Sequence, residues 1–152
     1  MSGIRIVQGP IDSNVQECVM ANSADFDFMD PVTINSGGFL AVAAAGERIV
    51  GTWAEDGTVA ASDNQTVGLV KGKYDPIDLS IVYEGTSDQA CVQTDVGAYA
   101  DFAVAAGAFT INLSAGTSGQ VFVKDFDPDR DGSTTKVRFT IAEPQDLAYA
   151  QA

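Results

Sequence analysis

Apolar and polar positions alternate with a period of two along much of the chain, the signature of strands with one buried face. In Ile77-Asp78-Leu79-Ser80-Ile81-Val82-Tyr83, the residues Ile77, Leu79, Ile81 and Tyr83 fall on one face, with Asp78 and Ser80 on the other. Phe109-Thr110-Ile111-Asn112-Leu113 and Val137-Arg138-Phe139-Thr140-Ile141 repeat the scheme. Further strands are predicted over 32–35, 39–42, 49–53, 66–70, 90–94 and 119–124, about nine in all.

The residues between these runs are those that tight turns need, because Gly, Asn and Asp tolerate a positive φ. Ser36-Gly37-Gly38, Glu55-Asp56-Gly57, Gly116-Thr117-Ser118-Gly119 and Asp131-Gly132-Ser133 all read as turns. Short strands at roughly 8–15-residue spacing predict an all-β fold, an antiparallel β-barrel or sandwich. The Ala-rich stretch 95–106 fits either a short helix starting near Asp95 or a strand and a turn. The two ends lack sustained periodicity. Residues 1–25 are expected to form an extended N-terminal arm, 26–142 a single β domain, and 143–152 a short C-terminal tail after the Glu143-Pro144 break. Such ends are either disordered or straps that fold on a partner.

Composition narrows the function. The 152 residues are 45% hydrophobic and 19% charged, as in a chain that folds around a core. Asp and Glu total 21 against 8 Lys and Arg, a formal charge of −13, and there is no histidine. Nucleic acids and anionic membranes, which are bound through Lys and Arg, are poor partners for such a chain. Lack of histidine removes the commonest general base, the commonest zinc ligand and every Ser-His-Asp arrangement. Cys18 and Cys91 are too sparse for a disulfide scaffold and read as free, buried thiols. The sequence starts without a signal-peptide pattern, so synthesis in the cytosol is expected.

Several segments carry candidate chemistry. Asp127, Asp129 and Asp131, followed by Gly132, match the opening of a calcium loop, in which alternate carboxylates converge on a hard cation. The match ends at the twelfth position, where Arg138 stands in place of the closing Glu. A solvated acidic turn explains the same residues. Gly68-Leu69-Val70-Lys71-Gly72-Lys73-Tyr74 misses the phosphate-loop spacing by one residue, and Lys71 and Lys73 are better suited to pairing with a neighbour's carboxylates. Phe26, Phe28, Trp53, Tyr74, Tyr83, Tyr99 and Tyr149 are candidate interface aromatics. Phe26 and Phe28 alternate with Asp25 and Asp27, which suggests one apolar face, equally suited to a core strand.

The order of motifs resembles small capsid decoration (cement) proteins of tailed bacteriophages. The resemblance lies in Pro31-Val32-Thr33-Ile34, the turn Asn35-Ser36-Gly37-Gly38, Phe39-Leu40-Ala41-Val42, the Ala43-Ala44-Ala45-Gly46 segment and Ile49-Val50-Gly51. Asp63-Asn64-Gln65-Thr66-Val67-Gly68-Leu69-Val70, Tyr74-Asp75-Pro76 and the opening Val7-Gln8-Gly9-Pro10-Ile11-Asp12 are similar to the same group. The resemblance covers about residues 4–83. It implies a non-enzymatic virion protein on the outer capsid surface, a homotrimer bound to the major capsid protein, with no nucleic acid, membrane or cofactor involved. The capsid and subunit interface would draw on Ile4, Ile6, Pro10, Ile11, Phe26, Phe28, Lys71, Lys73 and Tyr149. The alternative from a different class is a calcium-dependent module for carbohydrate or a cell surface, using Asp127, Asp129 and Asp131 with exposed aromatics.

Overall fold

The chain is all-β and its strands pair antiparallel, as the period-two pattern predicts. A computed structural model describes residues 4–9, 15–22, 25–58, 70–105, 108–116 and 119–142. The described strands of the first half are β1 (Arg5–Gln8), β2 (Gln16–Val19), β3 (Asp25–Phe26), β4 (Pro31–Ile34), β5 (Leu40–Val42), β6 (Gly51–Trp53) and β7 (Gly57–Thr58). Those of the second half are β8 (Lys71–Pro76), β9 (Val82–Thr86), β10 (Tyr99–Ala105), β11 (Ala108–Asn112), β12 (Val121–Phe126) and β13 (Lys136–Ile141). One sheet runs β1-β9-β13-β12-β10-β11, a second runs β2-β8-β6-β4-β5, and β3 pairs with β7. Among the described residues no helix is long and apolar enough to cross a membrane.

The six-stranded sheet carries the main core on its inner face. Tyr83, Phe102, Phe109, Ile111, Val121, Val123, Val137, Phe139 and Ile141 are all buried there. Phe102 meets Phe139 edge-on at 5.7 Å, and Tyr83 stacks on Phe139 at 5.8 Å. Side chains of this size each contribute roughly 1.5–3 kcal/mol on burial. The five-stranded sheet curls until its edges meet: Met20, just past β2, bridges Leu40 of β5, and the Ala21 N–H donates to the Leu40 carbonyl at 2.9 Å. Its own cluster holds Met20, Phe26, Val32, Leu40, Trp53 and Tyr74. Gly72 makes room for the indole, because a Cβ there would overlap the Trp53 ring.

Gln120, 1% exposed, ties the halves together. Its Oε1 accepts the Gly46 N–H at 3.0 Å and the Phe102 N–H at 2.9 Å, and its Nε2 donates to the carbonyls of Ala44 and Glu47. Tyr83 of one sheet faces Thr52 of the other, with Asp75 close by. Neither hydroxyl makes a hydrogen bond of full geometry, and burial pushes the Tyr83 phenol up to about 12.

Several expectations need correction. The run 77–83 is not one strand: Asp78 accepts both the Ser80 N–H and the Ser80 hydroxyl at 2.8 Å, folding the backbone into a turn that leaves Leu79 52% exposed. The 90–94 segment leads into a 3-10 turn, Gln93–Asp95, while most of the Ala-rich stretch forms β10. Within the stretch expected as an arm, β1 pairs with β9 and β2 with β8. Most of the predicted strand at 66–70 and the whole tail at 143–152 lie outside the described residues.

Candidate functional site

The acidic loop is organised by arginine. Pro128–Asp131 forms a single helical turn, with the Asp127 carboxylate accepting the Arg130 N–H at 3.1 Å as its N-cap. Gly132, at φ 68, closes the turn, its N–H donating to the Pro128 carbonyl at 2.8 Å. The Arg130 guanidinium lies 3.1 Å from Asp131, 3.4 Å from Asp125 and 3.8 Å from Asp127. Arg138 reaches Glu84 at 3.1 Å, Asp125 at 3.5 Å and Asp131 at 3.6 Å. Two of the carboxylates expected to converge on calcium, Asp127 and Asp131, are therefore shared with arginine, while Asp129 is exposed. Among the described residues no group of three or more His, Cys, Asp or Glu side chains is arranged to hold a metal ion.

Of the aromatics named from the sequence, Phe26, Trp53, Tyr74 and Tyr83 are buried and belong to the cores. Phe26 lies flat on the Trp53 indole, ring centroids 3.9 Å apart, so it cannot serve as an exposed contact. Ile4, 7% exposed, is likewise a core residue. Lys71 and Lys73 are exposed on β8, where Lys73 pairs in register with Glu17 and lines a depression with Val15, Glu17, Ala54 and Glu55. Tyr99, 38% exposed, meets Phe122 edge-on at 5.5 Å on the outer face of the six-stranded sheet. Pro10, Ile11 and Tyr149 lie outside the described residues.

Phe28 is the exception among the phenylalanines named from the sequence. Alternation would place it beside Phe26, but β3 ends after two residues and the chain turns back at 27–30. The Asp27 N–H donates to Asp30 Oδ2 at 2.9 Å, the Phe28 N–H to Asp56 Oδ1 at 2.6 Å, and the Met29 N–H to the Trp53 carbonyl at 2.9 Å. Met29 sits at φ 75, a left-handed conformation that costs a non-glycine residue roughly 1–2 kcal/mol. Its side chain is buried in the main core, which together with the three bonds holds that conformation. Phe28 is left 45% exposed.

Ile4, Arg5, Ile6, Phe28 and Met29 line one surface depression of about 310 Å³. Three of the residues expected at an interface, Ile4, Ile6 and Phe28, are thus brought together, Ile4 from beneath. Asp25, Asp27 and Asp56 are exposed around the turn. Asp30 is buried, and burial raises its carboxyl above the usual range; the charges of Asp27 and Asp25 act in the same direction, against the hydrogen bond from the Asp27 N–H. Arg5 is committed to Glu84, its Nε donating at 2.7 Å. Sequence reading missed Met29 and Arg5, and it gave Asp56 only as part of the Glu55-Asp56-Gly57 turn; a further local signal was the pair of acids Asp27 and Asp30, spaced to close a turn.

Compared with protein families, with curated proteins and with solved structures, the chain matches none.

Proposed function

We propose that this chain is a non-enzymatic structural protein of a tailed-phage virion, binding the outer surface of the capsid shell and reinforcing it. The observation that carries the proposal is the segment 31–51. The residues that resemble decoration proteins run in order through β4, a turn in which Asn35 Oδ1 accepts the N–H groups of Gly37 and Phe39, β5, the Gln120-bound turn at 44–47, and the start of β6. The Phe28 face offers an apolar surface, and the charge of −13 suits a surface facing away from packaged DNA. A homotrimer bound to the major capsid protein belongs to the same proposal and rests on the resemblance alone.

Reinforcement would act by mass action. A protein that binds the assembled lattice and not its separated parts stabilises the lattice by RT ln(1 + [L]/Kd) at each site. The test is heat release of DNA from particles stripped of accessory proteins. Added protein should raise the release temperature in a saturable way, and an unchanged temperature at saturating protein would overturn the proposal.

A further inference from the structure

We propose that residues 143–152 of this chain fold back over the outer face of the six-stranded sheet and set Leu147 and Tyr149 into a depression between Leu79, Tyr99 and Phe122. The proposal stands independently of the capsid reading. The depression holds about 250 Å³ and is lined by Leu79, Tyr99, Phe122, Lys124, Thr140 and Ala142. Tyr99, Phe122 and Thr140 are in register across β10, β12 and β13, so they form one row on that face. Leu79, exposed by the Asp78 turn, adds a further apolar side chain beside the row. An apolar surface with a polar rim is the kind that another segment covers.

Position and charge select the occupant. Ala142 is both a wall of the depression and the residue from which the segment departs, its N–H donating to the Gln120 carbonyl at 2.9 Å. Pro144 has no N–H with which to extend the β13 ladder, so the pairing of that strand cannot run on past it. The row from Thr140 to Tyr99 crosses two strand spacings, roughly 10 Å, while the five residues 143–147 can extend up to about 17 Å. In extended backbone Leu147 and Tyr149 share a face, and they are the large apolar residues of the segment. Its charges, Glu143 and Asp146, are both negative, and the exposed cation of the depression is Lys124, with Nζ 5.7 Å from the centre of the Phe122 ring. The same segment of a second copy carries the same side chains, but the chain's own starts beside the depression, at a roughly millimolar effective concentration. Tyr99 and Tyr149 are then committed within the chain, and this face is closed to a partner.

The experiment is nuclear magnetic resonance on the full chain. In wild type, Overhauser contacts are expected from the Leu147 methyls and the Tyr149 ring to Leu79, Tyr99 and Phe122. The full-length double variant Leu147→Ser with Tyr149→Ser should lose them and shift the resonances of Leu79, Tyr99, Phe122 and Lys124, while Ile34, exposed on the five-stranded sheet, stays in place. Lys124→Glu, which sets like charge against Glu143 and Asp146, should weaken the same contacts. Wild-type spectra without those contacts overturn the proposal, as does a double variant whose depression resonances coincide with those of wild type. Undiminished contacts in Lys124→Glu overturn the charge pairing. Contacts found only between labelled and unlabelled chains of a mixed sample assign the depression to the segment of a second copy and overturn the folding back.

Discussion

The Asp56 carboxylate accepts the Phe28 N–H at 2.6 Å across 28 positions of sequence. That bond joins the turn after β3 to the loop before β7, and it fixes where the one exposed ring among the described phenylalanines of this region points. Replacing Asp56 with Ala should therefore loosen the turn without unfolding the core. The expected loss is about 1 kcal/mol in urea denaturation, because the bond is at the surface. Hydrogen exchange at the Phe28 amide should speed up markedly, and unchanged exchange would show that the turn does not depend on Asp56.

Gln120 is the polar counterpart inside the molecule. Gln120→Leu keeps the volume but leaves the Phe102 and Gly46 N–H groups without their acceptor. A loss of about 3 kcal/mol is expected, since each buried donor left unpaired costs about 1–3 kcal/mol. A urea midpoint within error of wild type would mean that water replaces the amide.

Glu84 is 3% exposed and held between Arg138 and Arg5. Removing Arg138, itself 15% exposed, leaves the buried carboxylate with Arg5 as its remaining cation and should cost about 2 kcal/mol. Arg130→Ala removes a guanidinium that is itself largely exposed and leaves Arg138 beside Asp131, so it should cost less than removing Arg138. Asp129→Ala should change stability by less than about 0.5 kcal/mol with or without calcium. A calcium-dependent midpoint shift lost in Asp129→Ala would promote the loop to a metal site.

The sequence pattern was legible where a strand turns its apolar positions to the core and its polar positions to the other side. In β13, Val137, Phe139 and Ile141 point inward and alternate with Arg138 and Thr140, and β11 behaves likewise. It misled where polar residues line a strand. In β8 the inward positions are Gly72, reserved for the Trp53 ring, and Tyr74, so Lys71 and Lys73 dominate the text and mimic a phosphate loop. It misled again at Asp78, whose side chain bends an alternating run into a turn; the two bonds from Ser80 hold its carboxyl below the usual range. Phe28 was legible as an apolar residue but not as an exposed one, because its position is set by Asp56 and by a left-handed Met29 that no local propensity assigns.

Tyr83 offers a pH test. Its phenol is raised from 10.0 to about 12 by burial, so the fold favours the protonated form. The unfolded chain loses its proton first as pH rises, and the contribution, full below about pH 10, disappears between about pH 10 and 12. The scale is roughly 2–3 kcal/mol. Tyr83→Phe should be nearly neutral at pH 7, since the hydroxyl makes no hydrogen bond of full geometry, and should flatten the alkaline decline. An unaltered alkaline profile in the variant would place that decline elsewhere.

The most direct test of the capsid reading is co-sedimentation of the purified chain with phage particles stripped of accessory proteins, with and without EDTA. Saturable binding in both conditions is the predicted result. Binding abolished by EDTA would contradict a calcium-free attachment, and no binding in either condition would contradict the capsid role itself.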